Sequence, residues 1–350
     1  MTPLDAVLKE LSWLVATDTR NPPRKIGVDA PLFSELRSHL PGFDCTTFDY
    51  GDGCLAFHAV RGKTDTLFNV HLDTVPVAPG WTSDPFKLAF ESDRAIGLGA
   101  CDIKGAAACL IALAQRTDAP AAFLFSTDEE AGNSAAVRGF LKEGFDYERA
   151  IVCEPTGARA VPGHRGIFSA EATFTGVSGH ASQGGRSAVH AAATWIAACL
   201  ELPETRNARL NFGRIEGGVK PNMIAADCTV LFGMRAPAGA APEPIVDRMI
   251  ALGGDQLVGV KPRFKGPALP ESADAAARQA SLENWTRTKS LATAAPVDFW
   301  TEASLFAAAG VPALILGPGD IAQAHSADEW VSYEDLTTAY DAFHRILTDA

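Results

Sequence analysis

The sequence has few features of a secreted, membrane-bound or nucleic-acid-binding protein. Its seven cysteines are scattered and contain no CxxC pair, which predicts reduced thiols in a cytoplasmic protein and not a disulfide framework. The 30 basic residues are outnumbered by 42 acidic ones, giving a net charge of −12. With that sign, nucleic acids and anionic membranes are poor candidate partners.

Long apolar runs and a targeting segment are also lacking. No run reaches the ~18 residues that are needed to span a bilayer. The N-terminal stretch carries acidic residues and has no basic region ahead of a hydrophobic one, so it is typical of an amphipathic helix and not of a signal peptide. We therefore expect a cytoplasmic protein that contacts no membrane.

What is present is material for a large core. Apolar residues make up 47% of the 350 residues and charged residues 21%, and this length favours two domains. The first 160 residues alternate between helical and strand-like patterns, which predicts a mostly parallel sheet covered by helices on both faces. The predicted strands are Cys54–Val60, Thr66–Val70, Ala121–Ser126 and Ala150–Cys153, and the predicted helices are Pro3–Ala16, Val28–Leu40, Lys104–Ala114 and Ala131–Lys142.

The middle of the chain has a different order, β-α-β-β-α-β, which is the split βαβ of a ferredoxin-like unit. Its predicted elements are Gly166–Phe174, Ser187–Leu200, Arg209–Ile215, Met223–Met234, Pro242–Leu252 and Leu257–Phe264. The α/β pattern then resumes with Asp274–Leu291, Val297–Trp300, Glu302–Ala309, Pro312–Leu316 and Tyr333–Leu347. We therefore expect one α/β domain, residues 1–162 and 267–350, interrupted by a small α+β domain, residues 163–266.

Five short stretches carry acidic or imidazole side chains at or near the ends of predicted strands. They are VHLDTVP at 70–76, GACDIKG at 99–105, STDEEAG at 126–132, CEPT at 153–156 and AHSADE at 324–329. Each of them alone has an ordinary explanation, such as a helix cap, a strand end or acidic residues that favour a helix N-terminus.

Together these stretches predict a metal site. The carboxyl ends of parallel strands meet at one edge of a sheet, so His71, Asp102, Glu129, Glu130 and Glu154 should converge there. Burying that many carboxylates together is costly unless cations neutralise them. A set of imidazole and carboxylate ligands without a thiolate suits zinc, cobalt or manganese.

With these five motifs in this order, the sequence resembles the M20 family of metallopeptidases and deacylases over nearly its whole length. The resemblance implies a zinc-peptidase-like α/β domain with an inserted ferredoxin-like lid and dimerisation domain. It also implies two divalent ions per chain, zinc first and cobalt as the alternative. His71 and Glu154 would hold one ion, Glu130 and His325 the other, and Asp102 would bridge them.

The same resemblance assigns further roles. Glu129 would act as general base, Asp73 would hydrogen-bond the His71 ring, and the Asp102–Ile103 peptide bond would be cis. His180, in GVSGHAS, would stabilise the oxyanion in the active site of the partner subunit of a homodimer. Asn222 and Arg235 match lid positions that contact substrate, although either could also be an ordinary polar residue at a strand end.

The C-terminal stretches DFWTEASLF and LGPGDIAQAHSADEW resemble the acetylornithine deacetylases and, more closely, the acetylcitrulline deacetylases of the arginine pathway. The implied reaction releases acetate from N2-acetyl-L-ornithine or N-acetyl-L-citrulline. Glu302 would read the substrate side chain, or it would cap a helix. One departure is Leu98, which stands where relatives usually have arginine, so no role for that arginine carries over.

Three alternatives remain. The chain could be another M20 amidohydrolase, such as a succinyl-diaminopimelate desuccinylase, an aminoacylase or a dipeptidase. A phosphate-binding loop at GLGACDIKG is disfavoured because it matches neither GxGxxG nor GxxxxGK[ST], and Asp102 would repel phosphate. A binding protein with a degenerate metal site is disfavoured because all five ligand candidates and Glu129 are present.

Overall fold

The structure is a computed structural model that describes residues 1–23, 25–131 and 134–348. The chain divides into two compact units. The first unit contains Met1–Gly163, Ala277–Pro296 and Thr301–Ala350, and the second contains His164–Ala276 and Val297–Trp300. The second unit therefore begins near the expected boundary but ends later than residue 266.

The helices are α1 Pro3–Ala16, α2 Pro31–His39, α3 Gly105–Ala114, α4 Ala135–Phe140, α5 Ala188–Glu201, α6 Pro203–Asn207, α7 Glu243–Ala251, α8 Ala273–Thr288, α9 Ala303–Ala308 and α10 Tyr333–Thr348. The strands are β1 Asp44–Asp49, β2 Leu55–Arg61, β3 Thr66–His71, β4 Ala89–Phe90, β5 Arg94–Ile96, β6 Ala121–Ser126, β7 Arg149–Val152, β8 Ile167–Thr175, β9 Gly179–His180, β10 Asn211–Gly217, β11 Met223–Ile224, β12 Asp227–Met234, β13 Leu257–Gly266, β14 Ala313–Ile315 and β15 Trp330–Ser332. No helix among these residues is both long enough and apolar enough to cross a bilayer.

The first unit is built on a six-stranded sheet of order β1-β2-β6-β3-β7-β14. Its four strands β6, β3, β7 and β14 pair in parallel, while β1 and β2 are added antiparallel at one edge. The strands β3 and β6 are buried along their whole length, as expected for a sheet covered on both faces. This architecture confirms the predicted mixed, mostly parallel α/β fold.

Helix α3 shows why the sequence can cover this sheet so closely. Its ten residues, GAAACLIALA, are all buried, and half of them are alanine. Small side chains allow neighbouring helices to approach, and α3 packs against both α1 and α10. The helix begins immediately after the turn Ala100–Lys104, which contains Asp102. Its packing therefore holds the C-terminal end of that turn in place.

The second unit contains a four-stranded antiparallel sheet of order β10-β12-β8-β13. Its chain order is β8-α5-β10-β12-α7-β13, apart from the short elements between them, which is the expected split βαβ. Buried and half-exposed residues alternate along β8 and β12, so one face of the sheet packs on its own core around Trp195. Strand β10 lies at one edge and is largely exposed.

Two predictions of secondary structure were wrong, and the strands β1, β4, β5, β9 and β15 were not predicted. Val297–Trp300 is not a strand, since only Val297 forms an isolated bridge, with His164. The run from Met223 to Met234 is two strands, because β11 leaves the main sheet and pairs with β9. Strand β1 was missed because its sequence, DCTTFD, is polar and belongs to a half-exposed edge. The predicted helix Ala131–Lys142 shortens to α4 within the described residues, and positions 132 and 133 lie outside them.

Candidate metal centre

Most of the expected ligands lie at or after the carboxyl ends of parallel strands of the first unit, whereas Asp102 follows β5, which belongs to a separate antiparallel sheet. His71 is the last residue of β3, Glu129 and Glu130 follow β6, and Glu154 follows β7. Asp102 lies in an irregular turn at Ala100–Lys104 that leads into α3. His325 has a left-handed backbone, with φ 60°, in the loop before β15.

Two groups of ligand atoms form from these residues, and both include Asp102. One group is His71, Asp102 and Glu154, and the other is Asp102, Glu130 and His325. Within each group the ligand atoms lie within 4.8 Å of one another. The structure therefore brings together all five residues that the sequence proposed as metal ligands.

Asp102 faces both groups with different atoms. Its Oδ1 lies 3.2 Å from Nε2 of His71, and its Oδ2 lies 3.3 Å from Nε2 of His325. The same His325 nitrogen is 3.0 Å from Oε1 of Glu130. One carboxylate that presents a separate oxygen to each of two imidazoles has the geometry of a bridging ligand.

Burial and crowding shift the pKa values of these groups strongly. Burial raises the pKa of Glu154 well above its ordinary value, and the Asp102 charge adds to the effect. Burial also raises the pKa of Glu130. Burial would raise the pKa of Asp102 too, but hydrogen bonds from His325 and His71 outweigh it, and the pKa falls. Hydrogen bonding to Asp102 and Glu130 raises the pKa of His325 to about 10.

These shifts describe a site that favours positive charge. Several carboxylates share a small volume with only two imidazoles, and both imidazoles hold their protons more tightly than usual. Divalent cations satisfy the same requirement, and nitrogen and oxygen donors without sulfur suit zinc and cobalt. The residues present therefore fit two divalent ions that share Asp102.

Asp73 contacts this cluster through different atoms than expected. Nδ1 of His71 donates to the backbone carbonyl of Asp73 at 3.0 Å, while the Asp73 carboxylate is 3.6 Å from that nitrogen. The carboxylate instead accepts the backbone N–H groups of Glu129 and Glu130, at 3.3 and 3.0 Å. The carbonyl fixes the tautomer, which leaves Nε2 of His71 available as a ligand atom, and the carboxylate positions the two glutamates.

Glu129 makes no side-chain hydrogen bond to the described residues, a property that it shares with Glu154, but unlike Glu154 it belongs to neither group of ligand atoms. Burial raises its pKa well above the ordinary value for glutamate, and the charges of Glu130 and Glu302 act in the same direction. A carboxylate with high proton affinity and no internal partner suits a general base.

Glu302 is almost completely buried, at 1% exposure. Its Oε2 accepts from Nδ2 of Asn69 at 2.8 Å and from Oγ of Ser126 at 3.3 Å, while its Oε1 has no hydrogen-bond partner among the described residues. Burial raises its pKa to about 7. It makes no capping hydrogen bond to α9, so the alternative role as a helix cap has no support.

The remaining three candidates lie in the second unit. His180, on β9, is exposed and its Nδ1 is 2.7 Å from the Ser182 hydroxyl. The pairing of β9 with β11 brings Asn222 beside it, because the N–H of Ala181 donates to the Asn222 carbonyl at 3.0 Å. Arg235 follows β12, and burial lowers its pKa. No carboxylate in the described part of the chain pairs with its side chain to oppose that shift.

Two other residues of the centre were missed at the level of sequence. Glu329, the last residue of AHSADE, accepts backbone N–H groups from the Asp102 turn. Lys104, in GACDIKG, is buried and donates to the carbonyl of Thr17 at 3.0 Å, and burial lowers its pKa to about 8. Both residues lie inside motifs named in the sequence analysis. A charged residue at a position predicted to be buried was the signal that could have identified them.

Two smaller expectations concern the Asp102 turn. The Asp102–Ile103 peptide bond is cis, which confirms the expectation. Leu98 is 2% exposed, and its N–H donates to the carbonyl of Pro85 at 2.9 Å. It is therefore a core residue with no polar side-chain function.

The sequence matches a family model and curated relatives over most of its length. Residues 67–349 match the model of peptidase family M20/M25/M40. An N-acetyl-L-citrulline deacetylase of Xanthomonas campestris pv. campestris is 42% identical, covering 98% of this chain and 98% of the relative. An acetylornithine deacetylase of Proteus mirabilis is 31% identical, covering 77% of this chain and 75% of the relative.

Solved structures share the fold at low identity. An M20 family metallo-carboxypeptidase of Sulfolobus solfataricus superposes with a TM-score of 0.77 at 15% identity, over 97% of this chain and 98% of the other. A dinuclear metal-binding peptidase of the M20 family from Bacillus subtilis gives a TM-score of 0.66 at 14% identity, over 99% and 97%.

The fold, the paired ligand groups and the matched length define a metal-dependent amidohydrolase. The chain belongs to peptidase family M20/M25/M40.

Proposed function

We propose that this protein hydrolyses the acetyl amide of N-acetyl-L-citrulline or N2-acetyl-L-ornithine, releasing acetate and the free amino acid for arginine biosynthesis. The observation that carries the chemistry is Asp102, whose two carboxylate oxygens face His71 and His325 separately. The choice of substrate follows the relative that is 42% identical over nearly the whole chain.

The proposed cofactor is a pair of divalent ions, zinc first and cobalt as the alternative. His71 and Glu154 would hold one ion, Glu130 and His325 the other, with Asp102 shared. When bound, such ions would lower the pKa of a coordinated water and polarise the amide carbonyl.

Glu129 is proposed to move the proton. Its raised pKa and its place outside both groups of ligand atoms support a carboxylate that accepts the proton from the attacking water. The same carboxylate then delivers that proton to the nitrogen of the leaving amino acid. The Asp73 carboxylate keeps Glu129 in place by accepting its backbone N–H.

Three residues are proposed to bind the substrate. Arg235 would grip the α-carboxylate, since a guanidinium pairs bidentately with carboxylates and this one has no internal acidic partner in the described residues. Asn222 would contact the substrate near the reacting amide. Glu302 would read the side chain through Oε1, the oxygen left without an internal donor.

His180 is proposed to stabilise the oxyanion from the partner subunit of a homodimer. Its exposure supports this role, because the ring is available to a second chain. Strand β10 supports a lid-to-lid contact, since it is an exposed edge strand of the second unit's main sheet. A two-fold pairing of such edges would be isologous.

The seven free thiols support a reducing, cytoplasmic compartment.

A substrate panel tests the proposal. Purified protein, stripped of metal and reloaded with zinc or cobalt, is assayed for release of the free amino acid. The panel contains N-acetyl-L-citrulline, N2-acetyl-L-ornithine, N-acetyl-L-methionine, N-succinyl-L,L-diaminopimelate and a dipeptide. We expect one of the first two to have the highest kcat/KM. A higher value for any of the other three would overturn the substrate assignment, and no turnover without metal is the control.

A further inference from the structure

A buried carboxylate outside the ligand set holds the turn that carries Asp102. Glu329 is 1% exposed and lies directly before β15. Its Oε1 accepts the backbone N–H groups of Cys101 and Asp102, both at 2.9 Å. Its Oε2 accepts the N–H of Gly99, also at 2.9 Å.

The turn needs such a partner because its backbone is irregular. Gly99 has φ 76°, and a Cβ there would lie 2.6 Å from Cγ2 of Thr74. Asp102 has φ −120° and ψ 86°, which is not helical. Backbone N–H groups buried in an irregular segment find no ladder partner and need another acceptor, which Glu329 supplies for three of them.

Glu329 also belongs to the loop that carries His325, four residues before it in the sequence. The backbone carbonyl of Glu329 accepts the N–H of Gly97 at 2.9 Å, and the next residue, Trp330, pairs with Ile96. One residue therefore fastens the segment carrying the shared ligand to the segment carrying His325.

We propose that Glu329 is a positioning residue for the dinuclear metal centre: it fixes the backbone of the bridging Asp102 relative to His325. This inference rests on the proposed function, because it concerns the same two ions. Outer partners of metal ligands change metal affinity by ~10–100-fold when they are mutated. A carboxylate is required because three N–H donors converge on its two oxygens. An amide would turn an NH₂ group toward at least one of them.

The adjacent residue provides a matched control. Asp328 is half-buried and accepts the backbone N–H and the hydroxyl of Thr82, at 2.9 and 2.8 Å. It fastens a different loop and has φ 52°, a backbone conformation that asparagine tolerates. Asp328→Asn therefore removes an acidic charge from the same loop without touching the Asp102 turn.

The experiment titrates Co²⁺ and Zn²⁺ into metal-free wild type, Glu329→Gln and Asp328→Asn, with binding followed by calorimetry. The visible spectrum of each cobalt-loaded protein is also recorded. In Glu329→Gln we expect affinity for at least one equivalent to fall by ~10–100-fold, with a changed cobalt spectrum even at saturation. Asp328→Asn should match wild type in both readouts. Wild-type affinity and spectrum in Glu329→Gln would overturn the proposal.

A second variant covers failure to fold. Glu329→Asp keeps the buried charge but is one methylene shorter, so it should also weaken binding and alter the spectrum. If Glu329→Gln does not fold, Glu329→Asp alone decides, and wild-type behaviour would overturn the proposal. Loss of fold in both variants would assign Glu329 to the fold and also overturn it. Absence of metal binding in wild type would instead contradict the proposed function.

Discussion

Four metal-ligand candidates of the first unit differ from the substrate-binding candidates of the second in how they are held, while the fifth, His325, is exposed. His71 is 2% exposed and Asp102 is 7% exposed, and their polar atoms contact each other or nearby backbone. His180 and Asn222 are exposed, and the only side-chain partner of His180 in the described residues is Ser182. The first set is fixed before any ligand arrives, whereas the second keeps its binding capacity free.

This difference matches the two tasks of an amidohydrolase. Stabilising charge in a transition state requires donors and cations that are already oriented, because reorientation during the reaction costs free energy. Binding a small substrate requires polar groups that are not already paired within the protein. Arg235 has no carboxylate partner in the described residues. Substitutions in the first region should therefore act on metal binding or chemistry, and those in the second on substrate or transition-state binding.

The largest effect is expected within the first region, between neighbours. Glu129→Gln should retain both metal equivalents and lower kcat by ~10²–10⁴-fold, because the general base is lost. Glu130→Gln is the matched control and should lose metal, since Glu130 contacts His325 at 3.0 Å. Metal content by elemental analysis and kcat under saturating zinc separate the two.

The opposite pattern would reverse the roles of the two glutamates. If Glu129→Gln lost an equivalent of metal while Glu130→Gln retained both and lost turnover, Glu130 would be the base. Equal metal loss in both variants would contradict the division between base and ligand.

The second prediction concerns His180 in the second region. His180→Ala should lower kcat by ~10²–10³-fold, the typical loss for one oxyanion donor, with metal content unchanged. His190, which is exposed on α5 of the same unit, provides the control variant His190→Ala with wild-type activity.

Mixed dimers test whether His180 acts across subunits. A Glu129→Gln chain paired with a His180→Ala chain has one site with both defects and one with neither, if His180 serves the partner. Activity should then return when the two inactive proteins exchange subunits. Continued inactivity, despite exchange shown by differently tagged chains, would assign His180 to its own subunit.

Much of this arrangement could be predicted from the sequence. Buried strands with a clear apolar pattern, such as β3 and β6, were located to within a residue, and the parallel order brought their polar ends together. Convergence at that edge predicted that His71, Asp102, Glu129, Glu130 and Glu154 lie together. The place of His325 and the division into ligands and base came from the family resemblance. The ferredoxin-like order of the second unit was equally visible in its alternation.

The parts that could not be predicted depend on contacts between distant segments. Glu329 was quoted in a motif, but its three backbone partners lie 227 to 230 residues earlier in the chain. The Asp73 carboxylate was expected at the His71 ring, yet it turns to backbone N–H groups 56 and 57 residues later. Strand β1 carries no apolar pattern that would predict it. It forms a strand through its pairing with β2.

The third prediction concerns Glu302. It is buried like the metal-ligand candidates, but its Oε1 has no hydrogen-bond partner in the described part of the chain. Glu302→Gln keeps an acceptor for Asn69 and Ser126 but removes the charge. If it reads a substrate side chain, the ratio of kcat/KM for acetylornithine to that for acetylcitrulline should fall about tenfold, because an ammonium gains more from a carboxylate than a ureido group does. Glu283→Gln, exposed on α8, is the control. An unchanged ratio together with weakened metal binding would show that Glu302 positions the metal-binding residues and does not contact the substrate side chain.

The smallest effect tests whether strong burial by itself, away from the metal centre, gives pH dependence. His58 on β2 is 5% exposed, with Nε2 2.7 Å from the Tyr147 hydroxyl, and burial lowers its pKa to about 4. Between pH 6.5 and 4 the unfolded chain binds this proton and the folded chain does not, so stability falls as the pH falls. From pH 7.5 to 5.5 wild type should lose about 1 kcal/mol more than His58→Gln in chemical unfolding. His190→Gln, at an exposed histidine, should behave as wild type. Equal losses in wild type and His58→Gln would show that the ring titrates alike in both states.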